Sequence, residues 1–142
     1  MRLWSKQLLP YLPCKQLVSQ WREIIMITTC LTKNNLNHGL VNKVKDYNYN
    51  HFYSYARLTV NEMTKRGYKV SNKTYENFIN NLTSLSDIKE IPYNEVYSQW
   101  HNDIYLRQCL YNLEEKYNCG LIKQNEWNVI YNQFKDFTPL CK

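Results

Sequence analysis

The sequence predicts an all-α fold: a single-domain irregular helical bundle over residues 1–142, with the N-terminal segment packed against the first long helix. Two observations carry that prediction. The chain has only 3 Gly and 4 Pro, which leaves little material for Gly-dependent hairpin turns. Apolar residues recur at three- and four-residue spacing along most of its length, and no alternating strand pattern competes. A chain of 142 residues, 44% of them hydrophobic, can bury a core without disulfide or metal staples.

Met1 to Leu12 is short and has no regular pattern. Pro13 suits a first helical turn, where its missing N–H costs nothing. Leu17, Trp21, Ile24 or Ile25, Thr28 and Leu31 then repeat at helical spacing, predicting a helix from about Pro13 to Thr32. Gln16, Ser19 and Glu23 fall on a different stripe of that helix. Arg22 lies about 100° around the axis from Glu23. After the polar stretch Lys33–Asn37, Leu40, Val41 and Val44 predict a short helix.

Asn48 or Asn50 is placed to cap the next helix, with Phe52, Tyr55, Ala56, Thr59 and Met63 facing inward and Gly67 ending it. Lys65 and Arg66 stand in its last turn, where cations suit the helix dipole. Ser71 caps a further helix that turns Tyr75, Phe78, Ile79 and Leu82 inward. Thr83 to Gln99 reads as a loop around Pro92 with room for one helical turn. Asn102 or Asp103 caps a strong helix with Leu106, Cys109, Leu110, Leu113 and Tyr117 on its stripe, ending at Gly120. A last helix, about Asn125 to Phe134, carries Trp127, Ile130, Tyr131 and Phe134.

The formal net charge is +6, and a compact cation of this kind attracts anions, of which nucleic acid is the commonest large one. The 13 Tyr and 4 Trp fill a core or stack on bases. Five scattered cysteines form neither a disulfide framework nor a CxxC zinc pair, which fits a reducing cytoplasm. The apolar run near the N-terminus is broken by Pro10 and Pro13, so it reads as neither a signal peptide nor a membrane span. His38, His51 and His101 have no metal-ligand spacing. The expectation is a soluble, cytoplasmic monomer with no membrane partner, no metal and no cofactor.

The sharpest motif joins Met1-Arg2-Leu3 at the start to Gln20-Trp21-Arg22-Glu23 on the first helix. With these residues the chain resembles the pyrimidine-dimer DNA glycosylase family, which includes a bacteriophage endonuclease V. Thr64-Lys65-Arg66-Gly67-Tyr68 and Asn112-Leu113-Glu114-Glu115-Lys116 are weaker echoes. MRLW at the start, HFY near the middle and WHND leading into QCLYNLEEKY resemble a bacterial branch of the same family. The resemblance implies a repair enzyme acting on double-stranded DNA with damaged bases. An N-terminal amine attacks C1′, the base is expelled, and a carboxylate stabilises the cationic sugar and assists the strand-nicking elimination. On that pattern Met1 and Glu23 are the catalytic residues.

Elementary chemistry fits those roles. An α-amine has an ordinary pKa of ~7.7–8.0 against ~10.4 for lysine, so a useful fraction is nucleophilic at neutral pH. Bulky Arg2 after Met1 is expected to block removal of the initiator methionine, which puts the nucleophile on Met1 itself. Glu23 is an anion that can face a developing oxocarbenium charge. Arg2, Arg22, Gln16, Lys43, His51, Tyr53 and His101 are the candidate DNA-binding residues, with Lys45 and Arg57 widening a basic face. Tyr53, Tyr55 and Trp127 are candidates for stacking on a displaced base, whereas Trp21 and Trp100 suit the core. The sequence departs from the family at Met26, where a further Arg is expected, and at Gln16, where a His is expected. Two other functions fit the composition: a non-catalytic nucleic-acid-binding helical module, and a protein-interaction helical domain.

Overall fold

The computed structural model describes all residues, Met1–Lys142. Six α-helices and two 3-10 turns make up the chain, and there is no strand. In order they are a 3-10 turn Lys6–Tyr11, α1 Cys14–Thr32, α2 Gly39–Lys45, α3 Tyr49–Lys65, α4 Asn72–Leu85, a 3-10 turn Tyr93–Glu95, α5 Asp103–Asn118 and α6 Gln124–Phe134. Helix α1 packs against α2, α3 and α4, and the first 3-10 turn packs on α3.

The helix boundaries follow from local chemistry. Asn48, Ser71 and Asn102 cap α3, α4 and α5, each side-chain oxygen accepting a backbone N–H of the first turn. Gly67 and Gly120 end α3 and α5 at φ +90° and +81°, a backbone conformation that a Cβ disfavours. Pro13 stands just outside α1 as its N-cap, rather than inside its first turn. Helix α4 extends to Leu85, so the expected loop begins at Ser86. The buried stripes are those of the periodicity: Leu17, Trp21, Ile24, Thr28 and Leu31 on α1, and Phe52, Tyr55, Ala56, Thr59 and Met63 on α3. They join one apolar core with Leu110 and Leu113 of α5 and Trp127 and Ile130 of α6.

The N-terminal segment, expected to pack against the first long helix, does so: the Trp4 N–H donates to Gln20 of α1. It is ordered, and Leu3, Trp4, Leu8, Leu9 and Leu12 are buried. Helix α3 holds its far end through Arg66, whose guanidinium donates to the carbonyls of Leu12 at 2.7 Å, Pro10 at 3.1 Å and Leu9 at 3.3 Å. Its Nε pairs with Glu62 at 3.0 Å. A 3-10 turn leaves carbonyls without partners at its end, and one planar fork satisfies three of them. Arg66→Ala should therefore lower the unfolding free energy by about 3 kcal/mol, since hydrogen bonds from charged groups are worth more than neutral ones. Arg66→Lys should recover only part of this, because an ammonium lacks the fork. Urea denaturation followed by far-UV circular dichroism checks both.

Candidate active site

Three residues of α1 expected on one stripe, Gln16, Ser19 and Glu23, line a single cavity of about 290 Å³. Trp4 enters from the N-terminal segment, and Lys116 and Leu121 from the end of α5. Lys15 completes the rim, so a carboxylate faces a cavity flanked by two lysines.

Glu23 is half-buried and held from two sides. The backbone N–H of Arg2 donates to its carboxylate. Gln20 Nε2 donates to Glu23 Oε2 at 3.1 Å and to the Arg2 carbonyl at 2.8 Å. Gln20 Oε1 in turn accepts from the Trp4 N–H at 2.8 Å and lies 2.8 Å from the Tyr55 hydroxyl. That hydroxyl also reaches the Trp4 carbonyl at 2.6 Å, so it shares one hydrogen between two acceptors. Tyr105 donates to the Leu3 carbonyl at 2.5 Å. Residues 2–4 are thus bound, group by group, to α1, α3 and α5.

Burial raises the Glu23 carboxyl above the ordinary range. The Arg2 N–H, the positive charge of the chain terminus and Lys116 pull it back down. The terminal ammonium therefore acts on Glu23 through its charge. Met1 is otherwise exposed. Arg22 is exposed beside Glu23, and Arg2 lies half-buried with its guanidinium 5.6 Å from the Trp4 ring centre. The fold has two ion pairs, Arg57–Glu90 and Arg66–Glu62, so none of Arg2, Arg22, Lys15 and Lys116 is neutralised by one. Gln16 presents a buried Oε1 without a hydrogen-bond partner.

The remaining candidates lie elsewhere. His101 is 3% exposed, and its Nδ1 accepts the Lys6 N–H at 3.0 Å. Burial and nearby Lys6 push its pKa down to about 3, so it is a neutral packing residue and its enclosed ring cannot meet DNA. His51 Nδ1 accepts the Tyr97 N–H at 3.0 Å, and burial lowers its pKa as well. Lys43 lies over the Tyr47 and Trp100 rings. Tyr53 is half-buried and bonded to Tyr75. Arg57 also bonds Tyr75, and both line the largest cavity, about 660 Å³, which shares no residue with the Glu23 site. Tyr55 and Trp127 are fully buried, which corrects the expectation that they stack on a base. Trp100 is only half-buried, packed among Tyr47, Tyr97 and His101. No group of His, Cys, Asp and Glu side chains suits a metal ion, and no helix is long and apolar enough to cross a membrane.

Periodicity gives Gln20 and Tyr105 no role, and Tyr55, expected on the inward stripe of α3, adds a hydrogen bond to the N-terminal segment. Gln20 carried one signal: it is a polar residue between Leu17, Trp21 and Ile24 on an apolar stripe.

The site thus combines a half-buried carboxylate, the first residues of the chain and a cavity flanked by lysines. The family model for pyrimidine dimer DNA glycosylase matches residues 1–76, more than half of the 142-residue chain. The chain belongs to the pyrimidine dimer DNA glycosylase family, a class of DNA-repair enzymes. The match covers the N-terminal segment, α1, α2, α3 and the start of α4. No curated protein and no solved structure matches the chain.

Three outcomes follow from this geometry. Gln20→Leu should cost about 3 kcal/mol of stability, because it strips the Trp4 N–H and the Arg2 carbonyl of their partners. Tyr55→Phe, which removes one hydroxyl, should cost about 1 kcal/mol. Glu23→Gln should stabilise the protein at neutral pH. The Glu23 pKa is raised in the folded state, so its ionised form costs stability above that pKa. The gain should fade as pH falls through the folded pKa, where Glu23 itself becomes neutral. Thermal melts of both proteins from pH 4 to pH 8 test the sign.

Proposed function

We propose that this chain is a DNA glycosylase with AP-lyase activity, acting on pyrimidine dimers or abasic sites in duplex DNA through a Schiff base on the Met1 α-amine. The observation that supports the reading is that Gln20 bonds both Glu23 and the Arg2 carbonyl, which holds the carboxylate beside the first residues of the chain at a cavity flanked by Lys15 and Lys116.

The neutral amine attacks C1′ of the damaged nucleotide, and the base leaves with the bonding electron pair and a proton. Opening of the sugar ring breaks the C1′–O4′ bond and gives an iminium at C1′. At an abasic site the amine condenses with the C1′ aldehyde instead and expels water. Glu23 faces the positive charge that develops at C1′. It then takes a C2′ proton, and the C3′–O bond breaks with loss of the 3′ phosphate. A carboxylate whose pKa is raised by burial is a stronger base for that step. The iminium itself is the electron sink, so the chemistry needs no metal or cofactor.

Arg2, Arg22 and Gln16 are assigned to the DNA strand next to the reacting sugar, and Lys43 to an outer phosphate. His51, Tyr53 and His101 are assigned to holding the protein's own structure, since their polar atoms are occupied or enclosed.

Borohydride reduction traps an iminium as a stable secondary amine. Wild-type protein should yield a covalent DNA adduct located on Met1 by mass spectrometry, unaffected by EDTA. Glu23→Gln should bind the same duplexes and cleave them at least about 100-fold more slowly, the lower range for a lost acid–base group. Arg22→Ala should raise the dissociation constant roughly tenfold, the loss of one charge-assisted phosphate contact. Normal cleavage by Glu23→Gln would exclude the mechanism. Tight binding without any adduct would identify a non-catalytic nucleic-acid-binding module.

A further inference from the structure

Two large apolar side chains stand in solvent on the face that carries the cations. Met26 is 50% exposed and Leu121 is 60% exposed. Isolated exposed apolar residues are ordinary on protein surfaces. These two differ in where the backbone holds them.

Met26 follows Arg22 by four residues and Glu23 by three on α1, so it shares their face, roughly one helical turn further along. Its neighbours Ile24 and Ile27 are fully buried, which fixes the helix and points Met26 outward. Leu121 is positioned by the end of α5. Gly120 at φ +81° lets its own N–H donate to the Tyr117 carbonyl and the Leu121 N–H donate to the Lys116 carbonyl, both at 2.9 Å. In this helix ending, the residue after the glycine commonly packs on an apolar side chain in the last turn of the helix. Here that position is Lys116, so Leu121 has no apolar partner there. It is held by backbone bonds and lines the cavity that contains Glu23 and Trp4.

We infer that Met26 and Leu121 form an apolar wedge that enters the base stack of duplex DNA beside the reacting sugar. The inference rests on the DNA reading above and adds the element that opens the duplex. Charge complementarity selects the occupant. Lys15 and Lys116 line the same cavity as Leu121, and Arg22 stands one helical turn before Met26 on α1, so each side chain has a cation beside it, which suits phosphates outside and bases inside. Met and Leu are side chains that other proteins insert between base steps to unstack them. The methionine thioether also makes favourable contact with aromatic faces. A nucleotide whose base pairing is already weakened is opened at lower cost, so a wedge of this kind favours damaged positions.

The test uses full-length protein in the Glu23→Gln background, which keeps DNA intact. The duplex carries a stable abasic-site analogue with 2-aminopurine opposite it, whose fluorescence rises when the base unstacks. Parent protein should raise the signal several-fold. Met26→Ser and Leu121→Ser should each reduce that rise, and the double variant should leave the signal near that of free duplex. In proteins with Glu23 intact, borohydride trapping on a duplex abasic site relative to a single-stranded one should fall at least tenfold in the double variant, because a single strand has no stack to open.

A full fluorescence rise with the double variant overturns the wedge. Equal loss of trapping on single and double strands also overturns it, since that marks general damage to the site. So does sedimentation showing that parent protein self-associates through these residues, which would make the patch a protein interface. If wild-type protein traps on neither strand form, the lyase reading fails, and the fluorescence arm still judges the wedge by itself.

Discussion

Gln20 commits both amide hydrogens and its carbonyl oxygen to partners inside the molecule: the Arg2 carbonyl, Glu23, the Trp4 N–H and the Tyr55 hydroxyl. The rest of the site depends on this. An extended segment has no internal hydrogen bonds, so residues 2–4 need partners for every buried polar group. One buried side chain on α1 supplies several of them, and the same side chain orients the carboxylate one turn along. The position of the terminus and the position of Glu23 are therefore set by a single object. Tyr55 and Tyr105 reinforce it from α3 and α5, and Arg66 anchors the far end of the segment. Two tyrosine hydroxyls, those of Tyr55 and Tyr105, are aimed at backbone carbonyls of the segment.

Glu23 stands under opposing forces. Its burial favours the neutral acid, while the terminal charge, Lys116 and the Arg2 N–H favour the carboxylate. A partly desolvated anion also interacts more strongly with a nearby positive charge than a solvated one does. Around it no ion pair ties up Arg2, Arg22, Lys15 or Lys116, although the chain contains 12 acidic residues. Charges kept free in this way remain available to phosphates.

Much of the architecture was legible from residue spacing. Periodicity located all six helices, and Asn48, Ser71, Asn102, Gly67 and Gly120 marked their ends, because caps and positive-φ positions are local chemistry. Gln16, Ser19 and Glu23 could be placed on one stripe for the same reason, and they do line one cavity. That the N-terminal segment packs on the first helix was legible, but its individual partners were not. Its partners lie on α1, α3, α5 and around His101, far away in sequence, and nothing in residues 1–12 names them. The aromatic residues were ambiguous for a related reason: Tyr53, Tyr55 and Trp127 have similar compositions of apolar ring and polar tip, and only packing separates the half-buried one from the two enclosed ones.

The sequence by itself determined the helices, their termini, the net positive charge and the pairing of an N-terminal motif with an Arg-Glu motif on α1. These depend on neighbours within one or two turns of chain. Tertiary structure alone decided that Glu23 shares a cavity with Trp4 and Lys116, that His101 is enclosed while Leu121 is exposed, and that Gln20 joins Glu23 to the N-terminal segment. Those outcomes depend on which surfaces of separate helices meet, and that is settled by burial of the whole core rather than by any local preference.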